Sequence, residues 1–170
     1  MDYGKFFSKD TEAFVGSPTR EIFKKVDINS IYSLSGGYPS PDALPVESMG
    51  ETMREVLAKY GPKAFQYGGT QGVTELREAI SARFGEPLER IQITTSSQQG
   101  IDVCARVFLD PGDVVLTSNP TYLGALQSFK SYRAEMVGVA RRTDIEEFRA
   151  AYEAAIAGIK SSGKRLKLMY

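Results

Sequence analysis

The sequence predicts an α/β fold, a mostly parallel sheet covered by helices, on two observations. From Ile91 onward, short β-branched runs alternate strictly with helix-length amphipathic stretches, an order of βαβαβαβ. Such an order calls for right-handed crossovers and a parallel sheet with helices on both faces. Finally, 42% of the residues are apolar and 25% charged, with no biased tract and no internal repeat, so the chain reads as globular throughout.

The elements follow in chain order. Residues 1–31 are mixed, with a short helix expected over Thr19 to Val26 behind Ser17-Pro18, where proline suits a first helical turn. Residues 32–45 are rich in Gly and Pro and must be irregular. Glu47 to Tyr60 spaces Met49, Met53, Val56, Leu57 and Tyr60 by threes and fours, an amphipathic helix stopped by Gly61-Pro62. A polar loop, Tyr67 to Gly72, precedes a second helix with Val73, Leu76, Ile80 and Phe84 on one face, ending at Gly85. Ile91 to Thr95 reads as the first strand. Ser97 to Leu109 reads as a helix with Ile101, Ala105 and Phe108 inward, and Asp110 to Asp113 as a tight turn. Strands at Val114 to Thr117, Ala134 to Val139 and Leu166 to Tyr170 are separated by helices at Tyr122 to Tyr132 and Asp144 to Ile159.

Composition excludes several kinds of chemistry. The chain has 170 residues, the size of one ordinary domain and enough to bury a sizeable core. Lys plus Arg and Asp plus Glu are both 21, a formal net charge of zero, which argues against nucleic acid or an anionic membrane as the main partner. There is no histidine, which removes Ser-His-Asp and Cys-His nucleophile pairs, His-ligated zinc and any imidazole base. Cys104, the single cysteine, has no disulfide or CxxC partner, which fits a reducing compartment. No apolar run approaches a membrane span and Met1 to Asp10 lacks a signal-peptide core, so a cytoplasmic location is expected.

Three segments and one arginine are candidates for chemistry. Ile93-Thr-Thr-Ser-Ser-Gln-Gln-Gly100 runs from a strand into a helix, gathering unpaired backbone N–H groups, the positive end of the helix dipole and side-chain donors, as a phosphate dianion needs. Ser97 and Gln98 are the natural donors there, although on spacing alone a serine N-cap with a glutamine beside it is the commoner arrangement. In Ser118-Asn-Pro-Thr-Tyr-Leu-Gly-Ala-Leu126, Pro120 keeps the preceding residue extended and Tyr122 starts a helix near the same sheet edge. That aromatic is placed either to stack on a flat ring or simply to pack with its hydroxyl in water. Gly36-Gly37-Tyr38-Pro39 lets a small ligand approach bare backbone, or is an ordinary turn. Arg20 offers a bidentate fork for a carboxylate, against the commoner reading of a surface arginine. The Gly68 to Gly72 loop lacks the Lys-Ser/Thr of a nucleotide P-loop and follows no strand, so nucleotide binding is rejected.

Taken together, Ser35-Gly-Gly-Tyr-Pro-Ser-Pro-Asp-Ala-Leu-Pro45, Phe65-Gln-Tyr-Gly-Gly-Thr-Gln-Gly72 with Leu76-Arg77, Ser96-Ser-Gln-Gln-Gly100, Asp110-Pro-Gly-Asp113 and Asn119-Pro-Thr-Tyr-Leu-Gly-Ala-Leu126 resemble one family in the right order. The sequence is similar to the class I/II, fold-type I aminotransferases that use pyridoxal 5′-phosphate (PLP), and most similar to the 2-aminoadipate, kynurenine and aromatic amino acid subgroup. The resemblance covers almost the whole chain. It implies the fold-type I architecture, with residues 1–45 as N-terminal arm and small-domain segment and residues 46–170 as the first part of the large PLP-binding domain. It implies cofactor contacts at Ser96, Ser97 and Gln98 to the phosphate, at Tyr122 to the pyridine ring, and at Tyr67 across a homodimer interface to the neighbouring subunit's phosphate. Gly37 is then expected against the substrate α-carboxylate, and Arg20 against an acidic substrate side chain. Ser96 departs from the family, which usually has glycine there; a serine either crowds the loop or adds a donor.

The resemblance also implies what lies elsewhere. The Schiff-base lysine, the acid on the pyridine nitrogen, and the arginines for the phosphate and the α-carboxylate belong beyond Tyr170, so no catalytic residue is expected within this chain. In that fold, strands from later in sequence separate Ile91 to Thr95 from the strands at Val114 and Ala134. The chain is therefore expected to be roughly the first two fifths of an enzyme, with residues 1–170 alone neither folding stably nor transaminating. The expected reaction moves an amino group from an α-amino acid to a 2-oxo acid, 2-oxoglutarate being the expected acceptor. Alternatives are an aminotransferase-like sensing domain of a transcription regulator and a non-catalytic domain of the same fold. No metal site is expected.

Overall fold

The computed structural model describes residues 3–8, 11, 37 and 39–170. The expected helix at Thr19 to Val26 lies outside them. The chain forms two compact units, Met1–Ser17 with Thr95–Tyr170, and Pro18–Thr94.

In the second unit, helix α1 spans Val46–Tyr60 and helix α2 spans Thr74–Phe84. Both stop where the sequence says they should. Gly61 and Gly85 carry positive φ, and the N–H of each bonds back to the last turn, to the carbonyls of Leu57 and Ser81. The faces differ from expectation. Met49, Met53, Val56 and Leu57 of α1 are exposed, as are Val73, Leu76 and Phe84 beside or on α2. The buried residue of α2 is Arg77.

Ile91 to Thr95, expected as a strand, forms no ladder among the described residues; the Ile93 N–H instead donates to the Gln71 carbonyl, in the loop before α2, at 3.0 Å. A strand needs a neighbour as well as a β-branched sequence, and among the described residues no strand pairs with it.

The first unit is the α/β layer structure. Helix α3 spans Ser97–Phe108, strand β1 Val114–Asn119, helix α4 Leu123–Ser131, strand β2 Glu135–Ala140, helix α5 Ile145–Ser161 and strand β3 Leu166–Met169. The strands form a parallel sheet of order β2-β1-β3, with Val114 opposite Glu135 on one side and Leu166 on the other. Among the described residues, three of the four expected strands are thus present. Central β1 is buried on both faces. Val115 packs with Ala105, Leu109, Ala125, Phe129 and Ala134 under α3 and α4, while Val114 and Leu116 pack with Val139 and Ile159 under α5. Burying each such side chain is worth about 1.5–3 kcal/mol, so the Val-Val-Leu run holds both helical layers to one strand. Phe108, expected inward, is exposed, and Leu109 takes its place in the core.

Asp144 caps α5 by accepting the N–H groups of Glu146 and Glu147, both at 2.9 Å. Among the described residues no helix is long and apolar enough to cross a membrane, and no group of acidic or cysteine side chains is placed to hold a metal.

Candidate functional site

The Ser96-Ser97-Gln98-Gln99 run divides its work between capping and reaching outward. Ser96 is the N-cap of α3, with φ −167° and ψ 169°, an extended backbone that any residue adopts, so the backbone at that position does not require glycine. Its Oγ accepts the Gln99 N–H at 3.4 Å. Gln99 turns its side chain back, and its Oε1 accepts the Thr95 N–H at 2.7 Å and the Thr95 hydroxyl at 3.1 Å. Sequence reasoning missed Gln99. The signal was present, since Ser or Thr followed three residues later by Gln is the capping-box pattern.

With capping done by Ser96 and Gln99, the residues between them are left for other work. Ser97 is exposed, and the N–H groups of Ser97 and Gln98 find no acceptor among the described residues. This first turn therefore presents two orphan donors and a hydroxyl at the positive end of a twelve-residue helix, which fits a phosphate dianion.

Gln98 does not extend into solvent. Its Nε2 donates to the Gly124 carbonyl at 3.0 Å and to the Ser128 Oγ at 2.8 Å, both on α4, while its Oε1 is buried without a partner. Lower on the same pair of helices, the Tyr132 hydroxyl donates to Asp102 at 3.2 Å. Burial, and then the Asp102 carboxylate, push the Tyr132 hydroxyl above its ordinary pKa.

Tyr122 arrives from the other direction. Strand β1 ends at Asn119, the Asn119–Pro120 bond is cis, and Tyr122 is the N-cap of α4 with an extended backbone. Its side chain is 56% exposed. A Cβ built on Gly124 would lie 2.5 Å from Tyr122 Cζ and 2.4 Å from Gln98 Oε1. The phenol ring and the amide therefore meet over the bare backbone of Gly124. Ser96, Ser97, Gln98 and Tyr122 are brought together at the carboxyl edge of β1, where parallel sheets bind ligands.

The other expected site residues belong to the second unit or lie outside the described residues. Tyr67 has a fully exposed side chain. Gly37 is exposed with φ 63°, a conformation that favours glycine. Arg20 lies outside the described residues. Arg77, not singled out for its burial, donates from Nε to the Ile91 carbonyl at 3.0 Å and from Nη2 to the Leu88 carbonyl.

At the strand ends opposite the site, Asp113 is buried just before β1. Arg165 Nε donates to its Oδ1 at 2.6 Å, and the Asp110 N–H donates to its Oδ2 at 2.9 Å. The guanidinium first, and then the Asp110 N–H, hold this carboxyl below the ordinary carboxylate range.

Residues 33–170 match the family described as aminotransferase class I and II. An aromatic-amino-acid aminotransferase of Thermococcus litoralis is 38% identical over the full length of this chain, which covers 42% of that protein. A solved structure of Pyrococcus horikoshii kynurenine aminotransferase in complex with PMP superposes with a TM-score of 0.86 at 38% identity, over 99% of this chain and 43% of that one. An alpha-aminoadipate aminotransferase of Thermus thermophilus, solved with N-(5′-phosphopyridoxyl)-L-leucine, gives 0.82 at 30% identity, over 100% of this chain and 41% of that one. The chain spans about two fifths of the length of the relatives it matches. With the fold and the family match in agreement, the chain belongs to the class I and II aminotransferases, PLP enzymes of fold type I.

Proposed function

We propose that the protein transfers an amino group from an α-amino acid to a 2-oxo acid, with 2-oxoglutarate as acceptor and PLP as cofactor. The observation that carries this reading is the exposed first turn of α3, with two orphan N–H groups, lying beside an aromatic ring at the start of α4. A flat ring bearing a phosphate has the two features that this pair recognises. PLP, when bound, supplies an electron sink for the substrate's α-carbon.

Ser96, Ser97 and Gln98 would hold the phosphate through main-chain N–H groups and the Ser97 hydroxyl, and Tyr122 would lie against the ring. Tyr67, exposed on its own unit, suits a role across a homodimer interface toward the neighbouring site. The bare backbone at Gly37 suits close approach of the substrate α-carboxylate, and Arg20 an acidic substrate side chain. Orientation by these groups, rather than acid–base chemistry, is the contribution of residues 1–170. The lysine that the chemistry requires matches no motif among these residues, and we infer that residues 1–170 alone do not transaminate.

The test uses the protein expressed from its complete reading frame. It is expected to bind PLP with a visible absorption band that changes on adding an amino donor, and to convert 2-oxoglutarate to glutamate. Absence of both the band and the transfer overturns the proposal, and a monomer in sedimentation overturns the role given to Tyr67.

A further inference from the structure

We propose that Gly124 and Ser128 are positioning residues of the phosphate-binding turn, setting Gln98 and Tyr122 against each other from α4. The inference rests on the reading that the phosphate lies at Ser96 to Gln98, and it assigns to α4 a task beyond carrying Tyr122.

On an exposed first turn a glutamine side chain ordinarily lies in water, yet both Nε2 protons of Gln98 are committed to α4, at 3.0 Å to the Gly124 carbonyl and 2.8 Å to Ser128 Oγ. Gly124 and Ser128 are four residues apart and so share one helix face. Ser128 is buried at 6% exposure, which fixes its hydroxyl as an acceptor for this amide. The Oε1 atom gains no partner from the arrangement. The amide is therefore held by where α4 places its acceptors, not by a complete set of its own hydrogen bonds.

Gly124 contributes by what it lacks. It does not carry positive φ, so the backbone there does not require glycine. The space does: a Cβ would stand 2.4 Å from Gln98 Oε1 and 2.5 and 2.6 Å from two atoms of the Tyr122 ring. These are the far ends of flexible side chains, so an added methyl displaces the amide and the ring while the helix itself persists. Further down, Tyr132 to Asp102 ties the same two helices independently, so loss of the Gln98 contact loosens the start of α3 without separating the helices.

The experiment measures equilibrium binding of PLP and of pyridoxal, the same ring without phosphate, to the apoprotein expressed from its complete reading frame. Ser128→Ala is expected to weaken PLP about five- to tenfold while changing pyridoxal binding by less than about twofold, because the lost hydrogen bond acts on the phosphate end alone. Gly124→Ala, which also moves the ring, is expected to weaken PLP by more than about tenfold and pyridoxal as well. Parental affinity in both variants, or an equal loss of PLP and pyridoxal in Ser128→Ala, overturns the inference. If the parent itself fails to prefer PLP over pyridoxal, the phosphate reading falls and this inference with it. Should Gly124→Ala fail to fold, Ser128→Ala decides alone, since it removes one oxygen and adds no bulk.

Discussion

Arg165 grips Asp113 across the strand ends opposite the site, its Nε 2.6 Å from the carboxylate while Nη2 reaches Asp110 at 2.7 Å. Asp113 immediately precedes the central strand and Arg165 leads into β3, so this contact joins the turn before β1 to the edge strand. It also fixes a direction for acid sensitivity. The folded-state pKa of Asp113 lies below its ordinary value, so its contribution to stability is fully present above that ordinary value. It is lost as pH falls through the lower folded one. Asp113→Asn is expected to lower the melting temperature by several degrees at neutral pH, with the gap to the parent closing in strong acid. Thermal melts at a series of pH values check this. A gap that widened toward low pH would contradict the assigned sign.

Arg77 is a buried cation held by two backbone carbonyls, those of Ile91 and Leu88. Arg77→Met keeps the stem but takes the guanidinium donor from the Ile91 carbonyl and leaves the Leu88 carbonyl with the Ile91 N–H alone, so the expected cost is about 2–4 kcal/mol. Arg77→Lys offers one nitrogen where two separate guanidinium nitrogens reach the two carbonyls, and is expected to cost about 1–2 kcal/mol. Denaturant unfolding of the two variants tests the order. A lysine variant as stable as the parent would show that charge, not the guanidinium fork, is what this position needs.

Gly72 has φ 102°, and a Cβ there would lie 2.4 Å from Ile93 Cγ1 and 2.5 Å from Ile93 Cβ. Those atoms are close to the backbone and cannot swing aside, unlike the side-chain ends beside Gly124. Gly72→Ala is expected to cost about 2–4 kcal/mol through strain and overlap together. Ile93→Ala retains the Cβ and is therefore expected to rescue only part of that loss. A double-mutant cycle measures the coupling, and full rescue would place the conflict at Cγ1 alone.

These positions show what the sequence made legible and where it stopped. Helix ends at Gly61 and Gly85, the aspartate cap of α5 and the core strand at Val114 to Leu116 follow from local chemistry, which a single sequence carries in full. The strand expected at Ile91 to Thr95 depends on a neighbour supplied by another part of a chain, and β-branched residues alone do not form a ladder. Phe108 and Leu109 are adjacent and equally apolar, so periodicity could not choose which of them enters the core. At the site, the pairing of a helix start with Tyr122 was readable from two motifs. The tie from Gln98 to Ser128 spans thirty residues and depends on how two helices pack, which no local pattern encodes.

Tyr122 provides the complementary functional prediction, because it is assigned to the ring and not to the phosphate. More than half of its surface is exposed, so removing it is expected to leave the melting temperature of the apoprotein nearly unchanged. Tyr122→Ala deletes the aromatic face and is expected to weaken PLP and pyridoxal alike by about tenfold. Tyr122→Phe keeps the face, loses only the hydroxyl, and is expected to bind both within about twofold of the parent. The pattern differs from that of Ser128→Ala, which acts on the phosphate-bearing form alone, so the pair of measurements separates ring contact from phosphate contact. If Tyr122→Phe binds as poorly as Tyr122→Ala, the hydroxyl carries the interaction and the stacking assignment is wrong.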